Sequence, residues 1–117
     1  MHFTDTSRYA IVYLYRPRKL TLSLSGFPVY CNDTLFWIAR NRTGCLVKIL
    51  KEGEMEWKSK LFKDESSVKV NIQFGHVYYI KSMIHWGISS RLYNFKLEMA
   101  DVSPDIGRPE FEAVKVE

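Results

Sequence analysis

Three histidines, two cysteines and an alternating row of glutamates are the reactive side chains this sequence offers. The histidines are His2, His76 and His85. No two share a ligand spacing such as i,i+2 on a strand or i,i+4 on a helix, so no metal site is expected. His76 follows Gly75 and reads as a turn residue. His85 stands beside Trp86 where a strand is expected to end before Gly87, and this pair is the candidate for ligand contact. Glu54 and Glu56 fall on one side of a strand, an arrangement in which paired carboxylates do acid–base work in a glycosidase-like cleft. Lys58 and Lys60 continue that row, and mixed charges in a row make a solvated sheet face. Cys31 and Cys45 lack C-x-x-C spacing and a basic neighbour that would lower a thiol pKa. A single disulfide and two buried thiols both stay open. G-x-S-x-G, H-E-x-x-H, P-loop and G-x-G-x-x-G patterns are absent. The expectation is a non-enzymatic protein without a cofactor.

The remaining candidate contacts are Arg16 and Arg18, in "IVYLYRPRKL". Pro17 has no N–H for a ladder and ends the strand, leaving the cations in a connecting loop. Arg16 is expected to pair with Asp101, Asp105 or Glu110 of the tail, an exposed pair contributing at most about 1 kcal/mol. The charge is uneven: residues 1–97 carry 15 Lys and Arg against 7 Asp and Glu, residues 98–117 carry 2 against 6. A basic body attracts nucleic acid or anionic surfaces. The ribonucleoprotein sheet signature and its alternating helices are missing, however, so no nucleic acid is expected. An acidic tail folded back on the body accounts for the same asymmetry. Trp57, in phase with Met55 and Leu61, and Trp37, in phase with Leu35 and Ala39, read as core. Trp86, at a strand end, is the aromatic placed to stack on a sugar ring. "NDT" and "NRT" fit the glycosylation sequon, and their turn positions explain the asparagines equally well.

Period-two alternation dominates the chain. "AIVYLY" is apolar on both faces and reads as a central strand. "TLSLS" (residues 21–25) reads as a short strand. "FPVYCNDTLFWIAR" is a hairpin about Asn32-Asp33, residues that tolerate the positive φ of a type I′ turn. "CLVKIL" points Cys45, Val47 and Ile49 inward, and "EMEWKSKLF" is a half-buried strand. "KDESS" reads as a loop, and "VKVNIQF" as the next strand. Gly75-His76 links tightly into "VYYIKSMIHW", a second central strand. Gly87 to Ser90 form a loop before "LYNFKLEM". Ser103 and Pro104 then suit the N-cap and first position of a helix. Gly107 and Pro109 are expected to cut it short, and the tail to cover a sheet edge. With 46% hydrophobic and 15% aromatic residues, one core is within reach. The expected fold is a single all-β domain over residues 1–117. It is an antiparallel β-sandwich of seven or eight strands at about 9–100, with a short helical tail at 101–117. No run reaches the length of a membrane span, and "MHFTDTSR" lacks the apolar stretch of a signal peptide.

The motifs "YLYRP", "VYCND", "TGCLVKILKEGEMEWKSKL", "VNIQFGHVYYIK" and "LEMADVSPDIGRPEFEA", in that order, span about Tyr9 to Val114. Their layout resembles a bacterial family of small domains of unknown function, often secreted or lipid-anchored. The resemblance implies a transthyretin-like or immunoglobulin-like sandwich at the envelope and carries no catalytic residues. Together these readings predict an interaction module for a protein partner. A glycan- or peptide-binding domain using an aromatic patch near Trp86 and His85 is the alternative.

Overall fold

Alternating apolar side chains make the strands, and turn residues set their lengths. The computed structural model describes residues 8–18, 26–61, 64–89 and 92–117, with backbone alone at 86–89 and 92–95. In chain order these form β1 (Ala10–Arg16), β2 (Phe27–Cys31), β3 (Thr34–Ala39), β4 (Thr43–Ile49) and β5 (Gly53–Leu61). Then come β6 (Asp64–Ile72), β7 (Val77–Ser89), β8 (Leu92–Val102), α1 (Pro104–Glu112) and β9 (Lys115–Val116). One sheet runs β8-β7-β1-β4-β9 and the other β3-β2-β5-β6. The result is the expected all-β sandwich. Its pairings are antiparallel except β1 with β7 and β4 with β9, which are parallel. The expected strand at 21–25 lies outside the described residues.

β1 is central, as its two apolar faces require. Val12 and Leu14 enter the core between the sheets, against Phe27, Val29, Trp57 and Ile80. Tyr13 and Tyr15 on the outer face belong to a second cluster with Tyr79 and Phe111, under α1. Asn32 and Asp33 both have positive φ, as the β2–β3 hairpin turn demands.

Four local expectations need correction. Leu35 does not join Trp37 and Ala39 in the core. Val29 faces Trp37 but Tyr30 faces Leu35, so β3 carries an extra residue, and this bulge turns Leu35 outward to 53% exposure. "KDESS" is not a loop from Lys63 to Ser67, because β6 begins at Asp64. The Asp64 carboxylate and the Ser66 hydroxyl accept hydrogen bonds from the backbone N–H groups of Leu97 and Met99 on β8. Polar side chains thus serve in place of a ladder where the two sheets meet. Gly87 does not end β7, which stays paired with β8 as far as Ser89 opposite Leu92. Gly107 and Pro109 lie inside one continuous helix. A Cβ on Gly107 would lie 2.4 Å from the Tyr79 Cβ, so only glycine lets α1 approach β7 this closely.

The tail covers a sheet edge, as expected, through β9. Lys115 donates its N–H to the Arg42 carbonyl at 2.9 Å and Glu117 to the Gly44 carbonyl at 2.8 Å. Among the described residues, no helix is long and apolar enough to cross a membrane.

Candidate functional site

The structure does not bring Arg16 and His85, two of the sequence-derived contacts, together. Arg16 is buried at 2% exposure, with its Nη1 donating to the Ala39 carbonyl at 2.9 Å and its guanidinium 5.0 Å from the Phe27 ring centroid. The expected surface pair with Asp101, Asp105 or Glu110 is therefore replaced. Arg16 follows Leu14 and Tyr15 into the interior at the sheet end, and burial lowers its pKa. Arg18 is exposed. Tyr15 pairs with Lys81, so His85 lies beyond the end of β1. The His85 ring is 3.3 Å from the Glu98 carboxylate on β8. The side chain of Trp86 lies outside the described residues.

Glu110 meets other partners than Arg16. It accepts from the Tyr15 hydroxyl at 2.6 Å and from Lys81 Nζ at 2.9 Å. Burial works to raise its pKa, but the hydrogen bonds from Tyr15 and Lys81 and the Lys81 charge outweigh it and hold the carboxyl below its usual 4.5. The Tyr15 phenol is pushed far up by burial and by Glu110. Glu110 therefore binds fewer protons folded than unfolded. Its contribution is present above pH 4.5 and is lost as the pH falls through the lower folded value. Tyr15 acts at the other end, losing stability as the pH rises beyond its ordinary 10.0. Glu110→Gln is expected to lose less melting temperature than the wild type between about pH 6 and about pH 3. Parallel acid limbs in thermal melts would contradict it.

Two clefts border the tail. One, of about 360 Å³, is lined by His76, Tyr78, Asp101 and Ser103. A serine, a histidine and an aspartate invite comparison with a hydrolytic triad, in which nucleophile, base and carboxylate are hydrogen-bonded in sequence. Among the described residues no hydrogen bond joins these three, and burial raises the Asp101 carboxyl, which disfavours its charged form. The other, of about 470 Å³, lies between Asn41–Thr43 and Glu112–Lys115. Cys31 and Cys45 are free thiols rather than a disulfide. Burial pushes Cys31 up to about 11 and also raises Cys45, so both stay protonated and weakly nucleophilic near neutral pH. Glu56 and Glu65 flank Lys58 at 3.6 and 3.5 Å, the mixed charges of a solvated sheet face.

The opposite rim is built differently. In a strand, the N–H and C=O of one residue point to the same side, and successive residues alternate. Arg42 and Gly44 carbonyls accept from β9, so Leu46 and Lys48 aim their backbone groups off the same edge. β9 covers only Thr43 and Gly44. Beyond it, no described strand pairs with this side of β4. Beside the stretch that no described strand covers runs a groove of about 390 Å³, walled by Cys31, Thr34, Phe36, Ile49, Leu50 and Met55. Lys48 and Lys51 also line it. Phe36 and Leu50 are 41% and 71% exposed, and Leu46, further along the edge, is 50% exposed.

The chain matches no family model, no curated protein and no solved structure. The likeness to an envelope family rests on the quoted motifs alone. The alternation in "TGCLVKIL" assigned the inner face of β4 but passed over Leu46, Lys48 and Leu50. Apolar residues at both outer positions flanking Lys48 were the available signal. That β4 is an edge follows only from its pairing, which no local pattern encodes.

Proposed function

We propose that this chain is a non-enzymatic interaction module that receives an extended segment of a partner protein along the part of the β4 edge that no described strand covers. The observation that carries this reading is the row of outward backbone groups at Leu46 and Lys48 beside an apolar groove. An added strand satisfies those groups, and alternate side chains enter the groove. This is recognition by strand addition, in which main-chain hydrogen bonds supply affinity and pockets supply specificity. β9 already docks on the first part of the edge in this way. The envelope setting implied by the family resemblance belongs to the same proposal. A signal peptide with a lipobox in the coding sequence upstream would support it.

Amide exchange tests the edge directly. The isotope-labelled protein is titrated with heptapeptides of alternating valine and a polar residue. Binding at β4 slows exchange at Leu46 and Lys48, and Leu46→Pro abolishes it. Proline removes an N–H that points off the free edge, so pairing with β1 persists and the variant keeps its fold. Protection confined to the β7–β8 hairpin around His85 would favour the peptide-binding alternative and overturn the β4 reading. Absence of binding by every peptide would overturn it as well.

A further inference from the structure

Building on the edge reading above, we infer that the incoming segment alternates apolar with acidic side chains. A strand laid along β4 past Gly44 sends every second side chain inward, toward Phe36, Ile49 and Met55 in the groove. The intervening side chains lie on the outer face, level with Leu46 and Lys48. Lys48 and Lys51 are the charged residues lining this stretch, and both are exposed. Of the neighbouring carboxylates, Asp33 sits at the β2–β3 turn and Glu54 and Glu56 flank Met55, while Glu117, at the end of β9 on this same edge, is held by Trp37 Nε1 at 3.1 Å. Glu52 is turned away, accepting from the Phe74 N–H at 2.8 Å. Carboxylates on the outer side of the segment would meet Lys48 and Lys51, and cations would meet like charge.

The same lysine argues against a second copy of this chain as the occupant. Two β4 edges paired antiparallel, clear of β9, bring Lys48 opposite Lys48 or diagonal to it. Like charges at those cross-strand positions oppose pairing. Lysine on an exposed edge commonly guards against self-association in this way. The Lys48 ammonium stacks 4.3 Å from the Tyr9 ring centroid, which holds it over the outer face of the sheet. The edge is thus barred to itself and to basic strands, and complementary to an acidic one.

Three heptapeptides decide the matter: valine alternating with glutamate, with serine and with lysine, each titrated by calorimetry at low and high salt. The glutamate peptide is expected to bind about tenfold tighter than the serine peptide at low salt, and the advantage to shrink as salt rises. Lys51→Glu alone is expected to narrow the gap, and Lys48→Glu with Lys51→Glu to favour the lysine peptide. Circular dichroism and melting temperature establish that both variants fold. Equal binding of the glutamate and serine peptides, unchanged by the variants, would overturn the acidic preference and leave strand addition standing. No binding by any of the three would remove both. A concentration-dependent dimer lost in Leu46→Pro would show that the chain's own copy is the occupant.

Discussion

Arg16→Ala is expected to destabilise the protein by about 3 kcal/mol, a fall of roughly 10 °C in melting temperature. The side chain is 2% exposed, and among its contacts are the Ala39 carbonyl and the face of Phe27. Alanine removes the donor to that carbonyl and leaves a void where the aliphatic stem packed. An exposed ion pair behaves otherwise: it contributes at most about 1 kcal/mol and fades in salt. Because Arg16 is 2% exposed, the loss is expected to change little between low and high ionic strength in urea unfolding. Arg16→Lys keeps the charge but not the flat, forked donor, and should fall between the two. A loss under about 1 kcal/mol that vanishes in salt would return Arg16 to the surface.

Gly107→Ala is expected to reverse the usual sign of that substitution. On an exposed helix alanine gains up to about 1 kcal/mol over glycine. Here the new Cβ would sit 2.4 and 2.5 Å from Cβ and Cγ of Tyr79, too close for any rotamer to relieve. The helix must lift. Phe111 would then leave the Tyr13 and Tyr79 rings, now at centroid distances of 4.7 and 6.3 Å, and Glu110 would leave Tyr15 and Lys81. A net loss of about 2 kcal/mol is the expected result, read by thermal melts. Faster amide exchange at Lys115 and Glu117 should accompany it, because β9 follows α1. A variant as stable as the wild type, or more so, would mean that α1 does not rest on Tyr79.

How far the sequence carries the fold shows residue by residue. Val12 and Leu14 against Tyr13 and Tyr15 announce a strand buried on both sides. Asn32-Asp33 announces the turn by the φ it needs. These signals are local, and the structure agrees with them. The misreadings share a cause in distant partners. "KDESS" looks like loop until Asp64 and Ser66 find N–H groups of β8. Gly107 looks like a helix stop until Tyr79 stands beside it. The bulge at Phe36 shifts Leu35 outward by one residue, a slip that alternation cannot register. Arg16 shows the same limit for the site: charge suggests a surface, whereas its neighbours Leu14 and Tyr15 belong to the interior. Nothing in "CLVKIL" says which of its sides lacks a neighbour.

The parallel pairing of β1 with β7 bears on how the chain reaches this state. β1 precedes β7 by some sixty residues, yet Ile11 must wait for Val77 before one side of it is satisfied. The intervening β2, β3, β5 and β6 belong to the other layer. During synthesis that second layer can assemble from neighbouring hairpins, while the first holds only β1 and β4. Joining the two ends of so long a loop costs entropy before any contact repays it, which slows folding. The nascent chain thus carries a half-built layer until β7 emerges, and this is the interval in which it is most exposed to wrong partners.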